Sequence, residues 1–400
     1  MDKKNILAID VGTGMVKVLA GRQEANGRIQ LFGSGAAPTA GFAKGVITDI
    51  DALAHSIRQA VECVVLATDS RAAGSVYLGL SGSVLVTQTS IGTVAAATAG
   101  VVTGADVERA CQAAVFSVAD HEYEVLHVFP AREDVTQAGA ALAVETHIIS
   151  APKATLAELS RVLSRSGIQL NGIVASGIIA AEGMNTELPG QPTNFIFIDI
   201  GAGVADISLY VKGRLRSSAA LPLGGDYITS DLMQGLSVNR AHAEEIKRYY
   251  SRLSPDLRNQ GVVLDCNDYG TVDKHIPFDF LYDIIESRVE EIVTLVYGYL
   301  KPLQAEYLTK PGQTFETVYL TGGCGAMPSM GACVAKFFQL PTTTVTPEGL
   351  SAEYVHPANT VCYGILKHGA RITENEPVGG HSAWNTLVHK AKKLLKFDRY

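Results

Sequence analysis

Ile9-Asp10-Val11-Gly12-Thr13-Gly14 ends the first apolar run of the chain, and Ile198-Asp199-Ile200-Gly201-Ala202-Gly203 ends another midway along it. In each copy an apolar strand runs into Asp-x-Gly-x-Gly and a second strand follows, Met15–Ala20 in one and Ala205–Val211 in the other. One copy alone reads as a hairpin turn. Two matched copies predict a duplicated α/β architecture, with two similar halves facing each other across a cleft. The glycines permit a tight turn and let backbone N–H groups approach a ligand. N–H groups aimed inward from such turns suit phosphate, and an aspartate at a strand end can hold Mg2+ through its waters. Asp10 and Asp199 are therefore candidate magnesium residues. Gly12, Thr13 and Gly14, facing Gly201 and Gly203, are the candidate clamp for a di- or triphosphate. Taken singly, each aspartate also fits an ordinary turn. Lys17 follows Asp10 by seven residues on the face of Met15. It could reach a phosphate oxygen or be a solvated strand lysine, and spacing leaves both open.

Gly12-Thr13-Gly14 is not a dinucleotide fingerprint, because the third glycine is missing and Val16-Lys17-Val18-Leu19 continues as a strand. The sequence contains neither a Walker-A segment nor a G-x-S-x-G elbow. Two further glycine turns stand before helices, Gly224-Gly225 and Gly322-Gly323-Cys324-Gly325. Backbone exposed there could line a ribose or a flat base, or merely connect a strand to a helix. Glu244 and Lys247 sit three apart on a helix, the spacing of a surface ion pair. The histidines, including His127 and His147, show no metal spacing and read as structural.

At 400 residues, 47% hydrophobic and 18% charged, the chain is an ordinary globular one with room for more than one domain. No apolar run reaches the ~20 residues of a spanning helix, and the apolar start is too short for a signal peptide. The six cysteines (Cys63, Cys111, Cys266, Cys324, Cys333, Cys362) are scattered. They read as core residues in a reducing compartment, so a cytoplasmic protein is expected. The net charge of −7 conceals an asymmetry. Lys390, Lys392, Lys393, Lys396 and Arg399 face only Asp398 in the tail, so the body is more acidic than the total suggests. An acidic body argues against nucleic acid, and the basic tail calls for an anionic partner.

Strand patterns are expected at Ile6–Asp10, Met15–Ala20, Arg28–Gly33, Ser75–Ser81, Tyr123–Phe129, Ala141–Ile149, Asn194–Asp199, Ala205–Val211, Arg214–Ala219 and Thr317–Leu320. Helices are expected from Asp49 towards Cys63, over Thr103–Ala119, Pro152–Ser166, Asp226–Leu236, Asn239–Tyr250, Phe278–Leu300 and Pro328–Phe338, and from Tyr354 to His368. After Pro377, Gly379 and Gly380 a last helix is predicted, with Ser382 as its cap. Its stripe of Trp384, Leu387, Val388, Ala391, Leu394 and Leu395 is flanked by Lys390, Lys392, Lys393 and Lys396. Such a helix lies in a membrane interface, each lysine adding roughly 1 kcal/mol near an anionic leaflet. Single-copy attachment would be weak and salt-sensitive, and polymerisation would make it multivalent.

Together these residues resemble the actin, Hsp70 and sugar-kinase superfamily. Asp10–Lys17 looks like its first phosphate motif, Asp199–Asp206 its second and Leu320–Met327 its adenosine motif. Gly177–Gly183 and Ala358–Gly364 resemble its two hinge helices. Within it, Gly41–Asp49, Val101–Ala110, Val125–Pro130, Leu223–Asp231 and Ala243–Lys247 resemble the FtsA family of bacterial cell-division proteins. The resemblance implies two actin-like (RNase H-like) halves with a small inserted α+β subdomain and a C-terminal amphipathic helix. It also implies ATP and Mg2+ in the cleft, head-to-tail filaments, and binding to the C-terminal peptide of the tubulin-like protein FtsZ on the inner membrane face at the division site. Gly224, Gly225, Glu244, Lys247, Gly322, Gly323 and Met327 would surround ribose and base. The boundaries so implied are 1–83 (first half), 84–172 (insert), 173–355 (second half), 356–372 (return helix), 373–381 (linker) and 382–400 (membrane helix).

The segment after Pro130 is shorter than in most of that family. Val174, Ala175 and Ser176 stand where Hsp70-like members place a catalytic glutamate, so at most a weak ATPase is expected. The rival readings are a pilus-assembly relative and a sugar or acetate-type kinase, neither of which needs a basic amphipathic tail.

Overall fold

The computed structural model describes residues 5–24, 26–68, 74–97, 102–135, 141–182, 192–265, 275–308, 314–347 and 350–373. The first half contains β1 (Asn5–Val11), β2 (Met15–Gln23), β3 (Ile29–Pro38), the short β4 (Phe42–Ala43) and β5 (Val46–Ile47), α1 (Ile50–Thr68) and β6 (Gly74–Leu80). A smaller unit follows, made of β7 (Val86–Ala95), α2 (Gly104–Val118), β8 (Tyr123–Val135) and β9 (Ala141–Pro152). The chain returns through α3 (Lys153–Arg165), β10 (Gly172–Ala175) and α4 (Ser176–Glu182). The second half contains β11 (Phe195–Ile200), β12 (Ala205–Val211), β13 (Arg214–Leu221), α5 (Gly225–Leu236), α6 (Arg240–Tyr250), β14 (Val263–Asp265) and β15 (His275–Pro277). It continues with α7 (Phe278–Tyr307), β16 (Thr317–Thr321), α8 (Pro328–Phe338), β17 (Thr342–Thr344) and finally α9 (Thr360–Thr373).

The duplication read in the sequence is a duplication of topology. One sheet runs β10-β6-β1-β2-β3 and the other β17-β16-β11-β12-β13. In each, the central strand pairs antiparallel with the strand after its Asp-x-Gly-x-Gly turn and parallel with a later one. Both central strands are covered on two faces, which is why they read as unbroken apolar runs. Leu7, Ile9 and Val11 of β1 face a core shared with α1 and α3, and Ile6 and Ala8 face the other way. In β11, Ile196, Ile198 and Ile200 meet α5 and α7, while Phe195 and Phe197 join Ile6 and Ala8.

What fills the space between the sheets is α4 and α9, through Ile178, Ile179, Ala180, Val361, Cys362 and Ile365. The helices cross in close contact, so that a methyl added at Gly364 would stand 2.2 Å from the Ile179 carbonyl oxygen. The smaller unit is a three-stranded antiparallel sheet, β7-β9-β8, with α2 on it. Thr103 caps α2 and Asp106 returns the bond, a reciprocal capping box. This unit touches both halves. His127 Nε2 accepts from the Ala175 N–H at 2.9 Å, while His147 Nε2 lies 2.9 Å from Ser218 Oγ and Glu145 pairs with Arg216 at 3.1 Å.

Three expectations need correction. The element expected from Tyr354 to His368 breaks, because Pro357 disfavours helical backbone at the preceding His356, which is extended (φ −144°, ψ 139°), and α9 begins only at Thr360. Conversely α7 runs past Pro302 to Tyr307, where Leu303 and Tyr307 still pack on the second-half core. Strand β7 was not anticipated, because its Thr- and Ser-rich run lacks a clear apolar alternation. Among the described residues no helix is long and apolar enough to cross a membrane. Trp384, Leu387, Val388, Lys390, Ala391, Lys393, Leu394, Leu395 and Lys396 lie outside the described residues.

Candidate functional site: a cleft between two matched turns

The two Asp-x-Gly-x-Gly turns are built alike. Gly12 N–H donates to the Met15 carbonyl at 3.1 Å, and Gly201 N–H to the Val204 carbonyl at 2.9 Å. They meet across the cleft: a methyl at Gly203 would lie 2.6 Å from Thr13 Oγ1, and one at Gly14 3.1 Å from Ala202 Cβ. Glycine is required here by close approach. The loop after β3 straps the first turn, with Thr39 Oγ1 donating to the Gly12 carbonyl at 2.7 Å and the Lys44 N–H donating to Thr13 Oγ1 at 3.0 Å. The second turn is strapped by α5, whose Gly225 and Asp226 N–H groups donate to the Gly201 and Ala202 carbonyls at 3.0 and 2.7 Å.

Below the turns the hairpins differ. Lys17 lies opposite Asp10 in the first, and Asp206 lies opposite Asp199 in the second. The Lys17 ammonium is hydrogen-bonded to the Ala358 carbonyl just before α9. Burial raises the Asp10 carboxyl above its ordinary value, with Lys17 opposing. Burial, the Asp206 charge and then the Asp10 charge push Asp199 up to about 8. Burial and Asp10 push Asp206 to about 7 against a 2.5 Å hydrogen bond from Ser81 Oγ. Three carboxylates thus share one nearby ammonium. Gly322 closes the floor at φ +92°, where a methyl would fall 2.1 Å from Asp199 Oδ1.

The remaining candidates gather on the second-half side. Lys247 Nζ donates to Glu244 Oε1 and Thr229 Oγ1, both at 2.7 Å, and to the Gly225 carbonyl at 3.1 Å. Burial alone would raise the Glu244 carboxyl, but Lys247 and the Thr229 hydroxyl hold it below the usual range. Gly225 packs towards Cys324 and Lys247, while Cys324 Sγ lies 3.8 Å from Met327 Sδ at the start of α8. Gly224 rests on the Gly201 carbonyl, and Gly323 faces Ala358, the residue that holds Lys17. These contacts join the candidates from Asp10 to Met327 into one connected region, with Met327 itself packed in the second-half core and the Glu244–Lys247 pair half-buried.

Some members of this cleft escaped the sequence reading. Asp206 had a signal, since it follows Asp199 by the spacing that singles out Lys17 after Asp10. Ser81, Thr39 and Thr229 had none, because their roles arise from tertiary approach. Val174 and Ala175 end β10 and Ser176 opens α4, with Ser176 Oγ buried and making no hydrogen bond to the described atoms.

A family model described as cell division protein FtsA matches residues 196–364, from β11 into α9. The cell division protein FtsA of Neisseria meningitidis serogroup B is 28% identical over 393 residues, covering 94% of this chain and 92% of that one. That of Escherichia coli K12 is 26% identical over 385 residues, covering 92% and 91%. Among solved structures, a PilM–PilN type IV pilus biogenesis complex superimposes with a TM-score of 0.65 at 17% identity, covering 93% of this chain and 99% of the other. MreB5 of Spiroplasma citri bound to AMPPNP does so at 0.54 and 15%, covering 93% and 98%. The structural likenesses show an actin-like fold, and the sequence likenesses span both of its halves. Over nearly its whole length the chain is similar to the cell division protein FtsA.

Proposed function

We propose that this chain binds ATP in the cleft and uses it to control assembly into filaments that tether the tubulin-like protein FtsZ to the inner membrane face. The observation that carries the nucleotide reading is the pair of facing turns beside three carboxylates, the buried Asp199 and Asp206 and the half-buried Asp10, and one lysine. A polyphosphate lying between the turns would take Lys17 from the Ala358 carbonyl, and the Glu244–Lys247–Gly225 bracket with Met327 would surround ribose and base. The MreB5 neighbour carries AMPPNP in the same fold, which supports this reading.

Mg2+ fits the donor set. Asp10, Asp199 and Asp206 all titrate above their ordinary value with one lysine among them, so a bound cation would favour their ionised forms. Among the described residues no three His, Cys, Asp or Glu side chains come close enough to hold a metal directly. Asp10 and Asp199 would therefore hold the ion through its waters, and the ion would supply charge neutralisation for the phosphates. Closure of the halves on the nucleotide would select the assembling conformation by differential affinity. The membrane part rests on the tail sequence and on the family, and the FtsZ part on the family alone.

The test is sedimentation of the full chain with ATP, Mg2+ and anionic liposomes beside a chain stopped after Gly380 and an Asp10→Ala chain. Co-sedimentation of the full chain only, weakened by salt, is expected. Equal behaviour of the truncated chain would remove the membrane role. Unchanged ATP affinity in both Asp10→Ala and Asp199→Ala would remove the cleft assignment.

A further inference from the structure

The loop between β3 and α1 meets the cleft at more than its strap on Thr13. Lys44 sits in the left-handed region at φ +52°, rarely adopted by residues with a side chain, so its direction is fixed by the turn. Its neighbour Gly45, at φ +89°, packs on the Ser81–Gly82 turn, where a methyl would stand 2.7 Å from the Ser81 carbonyl oxygen. Ser81 in turn bonds Asp206 of the opposite half. From this seat the Lys44 side chain also crosses to the second half. Its Nζ lies 3.0 Å from the Tyr227 hydroxyl and 4.5 Å from the ring centre.

Tyr227 has a second cationic neighbour. The Arg288 guanidinium lies 5.6 Å from the ring centre and is fixed by a bidentate pair with Asp231 at 2.6 and 2.9 Å. Tyr227 belongs to the first turn of α5, the helix whose N–H groups strap the second phosphate turn. One loop residue thus binds Thr13 of one turn by its backbone and, by its side chain, the helix that braces the other.

We propose that Lys44 and Tyr227 form a latch across the mouth of the cleft that sets how long a bound nucleotide stays. The inference rests on nucleotide binding in the cleft, as proposed above. The two are positioning residues. They hold the turns together, and separation of the halves must break their contact before phosphate can leave.

Release of a fluorescent ADP analogue with Mg2+, followed by stopped flow on the full chain, tests this. Lys44→Met and Tyr227→Ala are expected to release it roughly three- to tenfold faster, the size of one exposed cation–π contact with its hydrogen bond. Association should stay within about twofold. Lys44→Arg should keep the wild-type release rate, Tyr227→Phe should fall between, and the double variant should be no faster than either single one. Wild-type release rates in Lys44→Met and Tyr227→Phe would overturn the latch while leaving nucleotide binding intact. A Lys44→Arg rate as fast as Lys44→Met would also overturn it, since the loop backbone would then carry the effect. A wild-type chain that binds no analogue would bring down the cleft reading and the latch with it.

Discussion

Asp199 and Asp206 are a cross-strand pair of carboxylates on a buried face, where like charges oppose folding. Their folded-state values, about 8 and about 7, stand above the ordinary 3.8. The native chain therefore binds more protons than the unfolded one across that window. This contribution to stability is full below the unfolded value and is lost as pH rises through the folded ones. Without ligand, Asp206→Asn should raise the thermal midpoint by several degrees near pH 8, and much less near pH 4. An equal shift at both pH values would mean that the charges are already compensated. The same substitution should weaken binding of Mg2+ with nucleotide, measured by calorimetry, because the site would lose part of its charge.

At the scale of elements, the sheets are held apart by α4 and α9, and Gly364 sets their spacing. The obstruction to a methyl there is the backbone oxygen of Ile179, which cannot turn aside as a flexible side chain could. Gly364→Ala should cost roughly 1–3 kcal/mol in a urea unfolding curve. Wild-type stability would mean the helices slide freely. The elements were largely legible because their signals are local. Asp49 accepts from the Asp51 and Ala52 N–H groups at the head of α1, and Asn239 caps α6, as their side chains allow. The duplicated turns were legible because one chemistry appears twice. The Ala358 carbonyl that holds Lys17, the Ser81 hydroxyl on Asp206 and the Lys44 contact were not. Each joins residues far apart in the chain, and no local pattern encodes such a meeting.

In the whole molecule, the small unit joins the second half through His147 and Glu145 of β9 and Ser218 and Arg216 of β13. Burial, and then Arg216, depress His147 from 6.5 to about 4, so it stays neutral in the native chain while the unfolded chain takes up a proton. Stability from this residue is full above the unfolded value and falls as pH drops towards the folded one. Between neutrality and about pH 5 the loss should be about 2 kcal/mol. In His147→Gln the unfolding free energy from urea curves should fall by that much less over the same pH range; an unchanged fall would show that His147 titrates freely. A different consequence follows from the two hairpins. A cleft with identical walls would be blind to direction, and an elongated ligand could enter either way round. The walls differ where Lys17 stands opposite Asp10 and Asp206 opposite Asp199. One wall carries a cation and its copy carries an anion in the equivalent place. Copying made the cleft, and that single mismatch gives it a head and a tail.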